Sequence, residues 1–196
     1  MFSGIIEATS AILQIRTSGG IRLVTIQRPD SFTDLKQGCS IACDGICLTA
    51  IALEKDSFTV QVMHETLDKT TAGQWISGRN LNLERALQLG DRLDGHWVMG
   101  HIDRKAKFLR QENRGTTAYF HFERNPQDAG LMIPQGSIAI NGISLTIASL
   151  NTRDFSVALI QHTLENTTLN KLRAGDMVNL EFDALGKYVR ELTGSR

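Results

Sequence analysis

The segment Ser40-Ile41-Ala42-Cys43-Asp44-Gly45-Ile46-Cys47-Leu48-Thr49 returns 97 positions later as Ser137-Ile138-Ala139-Ile140-Asn141-Gly142-Ile143-Ser144-Leu145-Thr146. Carried forward without gaps, the register pairs Phe58 and Val60 with Phe155 and Val157, and Thr66-Leu67 with Thr163-Leu164. It also pairs Thr70-Thr71 with Thr167-Thr168, and Gly78 and Asn82-Leu83-Glu84 with Gly175 and Asn179-Leu180-Glu181. Between positions 40 and 84, 18 of the 45 residues are identical to their partners. The repeat reaches the amino terminus, where Gly4-Ile5-Ile6-Glu7 matches Gly100-His101-Ile102-Asp103 at an offset of 96. A period this long lies far above the roughly 20 to 50 residues of solenoids and propellers, so it marks a duplicated domain and not an array. Each half is long enough to bury a core of its own. Two similar domains imply two similar pockets, and hence a protein that handles two like ligands.

With 196 residues, 41% of them hydrophobic and 21% charged, the chain has an ordinary globular composition. Twenty-one basic residues balance 21 acidic ones. The longest basic run is Arg104-Lys105-Ala106-Lys107, which argues against a nucleic-acid reader, whose surface carries a basic stripe. No apolar run approaches the ~18 residues of a membrane helix. The start Met1-Phe2-Ser3-Gly4-Ile5-Ile6-Glu7 lacks the basic and apolar regions of a signal peptide, so a cytoplasmic location is expected. Cys39, Cys43 and Cys47 fall in one segment. If that segment is extended, four residues span about 13 Å, too far for a disulfide or a shared metal, and three free thiols are expected.

Short period-two runs dominate both halves: Ile21 to Ile26, Phe58 to Met63 and Asn80 to Leu83, then Tyr119 to Phe122, Phe155 to Ile160 and Met177 to Phe182. Asp44-Gly45 and Asn141-Gly142 are tight-turn dipeptides between apolar runs. Helical turns are expected at Ser31 to Lys36, after Thr70 and after Thr167. Regular short strands repeated twice give an all-β chain of two small antiparallel barrels, which avoid open sheet edges by closing. The glycine-flanked polar run Gly90-Asp91-Arg92-Leu93-Asp94-Gly95 places the boundary, giving barrels at 1–92 and 93–184 and a tail at 185–196. In that tail Leu185, Tyr188, Val189 and Leu192 recur at i, i+3, i+4 and i+7, an amphipathic helix of about ten residues. So short a helix needs a partner surface, either the second barrel or another subunit.

Several segments together are similar to the riboflavin synthase family: Met1 to Glu7, Asp44-Gly45-Ile46-Cys47-Leu48-Thr49, Met63-His64-Glu65-Thr66-Leu67, Asn82-Leu83-Glu84-Arg85-Ala86, Gly95-His96-Trp97-Val98-Met99-Gly100-His101-Ile102-Asp103 and Asn141 to Thr146. Their order and spacing cover residues 1 to about 190. The resemblance implies two homologous six-stranded Greek-key barrels with a short carboxy-terminal helix and a homotrimer. Its active sites would lie between the amino-terminal barrel of one subunit and the carboxy-terminal barrel of the next. The implied reaction dismutates two molecules of 6,7-dimethyl-8-ribityllumazine to riboflavin and 5-amino-6-ribitylaminouracil by transfer of a four-carbon unit, the last step of riboflavin biosynthesis. No metal and no bound cofactor is implied, and lumazine synthase is a candidate partner.

Dismutation holds two copies of one compound face to face, so much of the rate can come from proximity. A proton must still leave the C7 methyl of one lumazine, and a nucleophile must be helped to add at C7 of the other. The resemblance places Cys47 in the first pocket and Ser144 in the second, and these are the expected catalytic contacts together with His101. The repeat partner of His101 is Ile5, so this proton-handling group exists in one half only, as expected if the two ligands play different roles. Cys39 and Cys43 read as packing residues. The paired hydroxyls Ser40 and Ser137, Thr49 and Thr146, and Thr66 and Thr163 suit a polyol chain, whose every unmatched hydroxyl costs about 1 to 3 kcal/mol. Around them the resemblance implies ligand contacts from Gly4, Ile5 and Ile6, Leu48, Gln61, Val62, Met63, His64 and Glu65 in the first half. It implies Gly100, Ile102, Gln135, Asn141, Ile143, Leu145, Leu159, Ile160, Gln161 and His162 in the second. His96 and His121 read as structural or surface residues.

Four positions depart from the family pattern. Asp44 stands where asparagine is usual and Asn141 where aspartate is usual, Gln161 replaces a common proline, and Gln135 a common lysine. A neutral asparagine cannot accept a proton as a carboxylate does. The competing readings are a non-catalytic antenna of the lumazine-protein type, which binds one chromophore, and a generic flavin- or partner-binding barrel. Retention of Cys47, His101, Ser144 and both threonine-rich segments favours the enzyme.

Overall fold

The computed structural model describes residues 1–115 and 117–194. The first half forms β1 (Ala8–Ser18), β2 (Ile21–Gln27), β3 (Ser40–Cys43), β4 (Ile46–Leu53), β5 (Ser57–Val62), the helix α1 (His64–Lys69), a 3-10 turn at Thr71–Gln74, and β6 (Asn80–Arg85). The second repeats the order with β7 (Arg104–Arg114), β8 (Thr117–Glu123), a 3-10 turn at Pro126–Asp128, β9 (Ser137–Ile140), β10 (Ile143–Leu150), β11 (Asp154–Leu159), α2 (Gln161–Asn166), a 3-10 turn at Thr168–Lys171, and β12 (Met177–Phe182). Each set of six strands closes into an antiparallel barrel, β1-β2-β5-β4-β3-β6 and its counterpart β7-β8-β11-β10-β9-β12. Closure leaves neither barrel an open edge of unpaired backbone groups.

The inward residues fill each barrel separately. Phe58, Trp75, Leu81 and Leu83 lie in the first core, and Phe108, Phe120, Phe122 and Phe155 in the second. In the second, the Phe108 and Phe122 rings stand 5.5 Å from each other and the Phe122 and Phe155 rings 5.6 Å. Between the barrels the two hairpin turns meet. Asp44 and Asn141 both adopt φ 46°, and a Cβ on Gly45 would lie 2.6 Å from the amide nitrogen of Gly142. Only glycine allows that approach. Around it the halves exchange hydrogen bonds: Asn82 Nδ2 donates to Asn141 O at 3.0 Å and Asn179 Nδ2 to Asp44 O at 2.8 Å. The Thr71 and Thr168 amides donate to Asn179 Oδ1 and Asn82 Oδ1, each at 2.8 Å.

Four expectations change. Ser31 to Lys36 forms isolated turns and no helix, because Phe32 and Leu35 both turn into the first core. The six-residue helices α1 and α2 begin where strands were expected to end; a single turn and a half bears no readable periodicity, and neither helix buries a residue. The cysteine segment is folded back on itself: Cys43 closes β3, Cys47 lies across the turn on β4, and all three thiols are free. Last, α3 (Ala184–Thr193) does not lay its apolar stripe on the second barrel. Leu185, Tyr188, Val189 and Leu192 are 65, 70, 58 and 84% exposed, while on its other side Lys187 bonds Asp103 at 2.6 Å. Ser195 and Arg196, the end of the expected tail, lie outside the described residues.

Candidate active site

Two straps precede the barrels, and each crosses to the barrel it does not belong to. Residues 98–102 lead into the second barrel but lie on the first, where the Cys47 amide donates to Gly100 O at 2.9 Å and Ile102 packs on the first core. Residues 2–6 lead into the first barrel but lie on the second, where the Ser144 amide donates to Gly4 O at 2.7 Å and Ile6 packs on the second core. The contact is close in both places. Gly100 and Gly4 have φ 80° and 78°, and a Cβ on either would stand 2.4 Å from Cys47 Cβ or 2.6 Å from Ser144 Cβ. The straps also pair with each other through Phe2 and Val98, whose amides and carbonyls exchange bonds of 2.7 and 3.1 Å.

Against the first barrel the strap completes a cavity of about 290 Å³ lined by Ile46, Cys47, Glu65, Thr66, Lys69, Thr70, Gly100, His101 and Ile102. This joins Cys47, Glu65, Thr66, Gly100, His101 and Ile102 among the expected ligand residues. Cys47, Thr49 and Ser40 share the outer face of the hairpin, since Ser40 pairs with Thr49 across the ladder and Cys47 stands two residues before Thr49. Ser144, Thr146 and Ser137 repeat that arrangement on the second barrel.

At the second barrel the chemistry differs. Ser144 Oγ lies 2.7 Å from His96 Nδ1. Burial holds the His96 imidazole below its usual pKa, with the Asp183 charge opposing, so the ring favours the neutral form. Its Nε2 is buried without a partner. A neutral imidazole hydrogen-bonded to a hydroxyl is the arrangement through which a proton can be relayed. His96 was read from sequence as structural or surface. The linker brings it there through Gly95, where a Cβ would meet Ser3 O at 2.0 Å and the Ser144 side chain; that approach is set by the fold and left no signal in the sequence.

Both straps are pinned by buried carboxylates. Glu84 on β6 accepts from the Ser3 amide and Ser3 Oγ, each at 2.7 Å, and from the Gly4 amide at 3.0 Å. Glu181 on β12 accepts from the Met99 amide at 2.7 Å and the Gly100 amide at 2.9 Å. Burial pushes both carboxyls up, Glu181 to about 7. Neither had been singled out as a site residue, although an identical acid inside matching strands of both halves was visible.

Other expected ligand residues sit elsewhere. Leu48, Val62, Ile143, Leu145 and Leu159 point into the cores, so only their backbone faces outward. His64 pairs with Asp68, Gln161 with Glu165 and His162 with Asn166, each within its own helix. Met63, Ile160 and Ile5 are exposed. Gln61 on β5 and Thr163 on α2 are partly buried, and Gln135 stands exposed at φ 62° in the turn before β9. The Asn141 side chain is committed to its turn, accepting from the Asn179 amide at 2.8 Å, as Asp44 accepts from Asn82 at 2.9 Å.

The lumazine binding domain matches this chain twice, over residues 3–86 and 99–183. The chain is 39% identical over 197 residues to the riboflavin synthase of Brucella abortus, covering 98% of both chains. It is 37% identical to that of Bacillus subtilis, covering 96% of this chain and 88% of that one, and 34% identical to that of Schizosaccharomyces pombe, covering 98% and 93%. In fold it is similar to LumP complexed with 6,7-dimethyl-8-(1'-D-ribityl) lumazine, with a TM-score of 0.83, 21% identity and coverage of 92% and 98%. LumP complexed with riboflavin gives a TM-score of 0.85, 21% identity and coverage of 93% and 99%. Relatives this similar, matched over nearly the whole length of each, show that the chain belongs to the riboflavin synthase family of enzymes.

Proposed function

We propose that the chain dismutates two molecules of 6,7-dimethyl-8-ribityllumazine to riboflavin and 5-amino-6-ribitylaminouracil. The observation that carries this is the pair of matching strap-covered hairpin faces with unlike chemistry, Cys47 beside His101 on one and Ser144 bonded to His96 on the other. Like surfaces take like molecules, and unlike groups give the two molecules different fates. At the second barrel the Ser144 hydroxyl and His96 relay the proton taken from, or returned to, a C7 substituent. At the first, His101 and the Cys47 thiol face the ligand edge, and Thr49 and Ser40 offer hydroxyls to the ribityl chain.

A cavity of about 290 Å³ is at the small end for a single ligand, and it is lined by the first barrel and its strap alone. Two lumazines react only if a second ligand-bearing face is brought against it, which supports a homotrimer in which the first barrel of one subunit meets the second barrel of the next. The exposed stripe of α3 is the surface that would hold such subunits together. Two lumazines consumed for each riboflavin and each 5-amino-6-ribitylaminouracil is the expected stoichiometry. Lumazine that binds, fluoresces and is recovered unchanged would identify an antenna instead. Removing residues 184–196 is expected to yield a slower-assembling or monomeric, inactive protein by sedimentation, and a fully active monomer would reject the shared site.

A further inference from the structure

We propose that Glu84 and Glu181 are crosswise positioning residues, each holding from its own barrel the strap that covers the ligand face of the other. Glu181 belongs to the second barrel, yet the Met99 and Gly100 amides it binds carry the strap whose Gly100 carbonyl receives the Cys47 amide and whose next residue is His101. Glu84 belongs to the first barrel, yet the Ser3 and Gly4 amides it binds carry the strap whose Gly4 carbonyl receives the Ser144 amide. This rests on the catalytic reading above only in naming the faces as sites; the crossed connectivity stands on the hydrogen bonds alone.

Burying a carboxylate is costly unless donors surround it, and here backbone amides do so without any direct cationic partner. The Gly100 and Gly4 amides face these acids while their carbonyls face the hairpins, so each acid fixes both the height of its strap and the register of the group beneath it. The two clamps are unequal. Ser3 Oγ gives Glu84 a hydroxyl donor, whereas Met99, next to its glycine as Ser3 is to Gly4, gives Glu181 none. The charged groups facing Glu181 are Lys187 of α3 and Asp103 just after the strap, and Glu84 faces Glu7. Because Lys187 is bonded to Asp103, two residues beyond His101, the helix that carries the exposed stripe is tied to the strap over the first barrel.

The test separates crossed from same-barrel control by a labelling rate, with turnover as a second readout. In the full chain, Glu181→Gln and Glu84→Gln are compared by the rate at which iodoacetamide modifies Cys47, mapped by peptide mass, with and without lumazine. Glu181→Gln is expected to speed Cys47 modification about tenfold, the change that losing one hydrogen bond to a charged group gives, and to weaken protection by lumazine. Glu84→Gln, although in the same barrel as Cys47, should leave that rate at the parent value while lowering kcat more than it raises KM. If Glu84→Gln exposes Cys47 and Glu181→Gln does not, the crossed assignment is wrong. Equal rates in parent and both variants would reduce the acids to structural pins. Should Glu181→Gln fail to fold, Glu181→Asp keeps the charge one methylene further back and must show the same selectivity. A protein that gives the crossed pattern yet makes no riboflavin would keep this inference and lose the catalytic one.

Discussion

The two barrels agree in their turns, caps and clamps and differ in what meets the ligand faces. Asp44 and Asn141 share one backbone conformation, Thr70 and Thr167 cap matching 3-10 turns, and Glu84 and Glu181 hold matching straps. Over that common frame, the first barrel presents a thiol beside a histidine delivered by the strap, and the second presents a hydroxyl bonded to a histidine from the linker. Duplication therefore preserved what shapes a pocket and let drift what acts in it. For the dismutation proposed above, whose two substrates are one compound, that division is the economical one: recognition must be the same twice, while proton transfer must differ.

The sharpest way to break this comparison is to remove the groups proposed to react, one barrel at a time. Ser144→Ala and His96→Ala should each lower turnover on the order of 10²-fold or more, the usual worth of positioned acid–base help, with lumazine affinity much less changed. Cys47→Ala and His101→Ala should lower turnover at the other face. Combining Ser144→Ala with His96→Ala should cost little beyond either alone, because the two act as a unit. Steady-state kinetics with ligand binding measured by fluorescence would check this. Full activity in either His96→Ala or Ser144→Ala would remove the proton relay from the second barrel.

Next in size is the strap contact. Gly100→Ala and Gly4→Ala place a Cβ within 2.6 Å of the hairpin while forcing an L-residue into positive φ, so each should destabilise by about 2 to 4 kcal/mol in urea unfolding. Gly78→Ala and Gly175→Ala share the positive φ but meet nothing within 4 Å, and should lose only about 1 kcal/mol. Equal losses at all four glycines would mean that backbone conformation, and not the crossing, explains their presence.

Much of this was legible in the sequence, and the rest was hidden for identifiable reasons. The 97-residue register gave both barrels and the hairpin turns, because strands and tight turns are local and their period survives in the residues. The crossing of the straps was not legible: Gly4-Ile5-Ile6 and Gly100-His101-Ile102 were visible as a repeat, but a repeat does not say which barrel each copy touches. That choice is made by contacts between distant parts of the chain, Cys47 with Gly100 and Ser144 with Gly4. His96 was missed for a related reason. Having no counterpart in the first half, it fell outside the repeat that organised the reading, and only the chain's path over Ser144 gives it a role. The α3 stripe was read correctly as apolar, but periodicity does not tell a buried stripe from one left facing outward.

The smallest and most diagnostic effect concerns the exchange of Asp44 and Asn141. Asp44 is fully buried, one carboxylate oxygen has no hydrogen-bond partner, and burial raises its pKa to about 6, with Arg79, 3.6 Å away, and the Asn82 amide only partly opposing. Because the folded value lies above the 3.8 of the unfolded chain, the folded protein holds this proton more tightly. The burden of a buried charge is then fully present above pH 6 and is relieved as pH falls from 6 toward 4. Asn141 bears no such charge. Asp44→Asn keeps the bond to the Asn82 amide and makes the turns alike, so it should stabilise the protein by about 1 to 2 kcal/mol at pH 8. That gain should shrink toward zero near pH 4. Urea unfolding of both proteins at pH 8 and pH 4.5 isolates the effect, since every other carboxyl is common to the pair. A variant less stable than the parent at pH 8 would mean that the pairing with Arg79 outweighs desolvation. The first barrel would then keep its carboxylate for stability, and the difference between the two turns would be a compensated exchange in which Arg79 took up the charge.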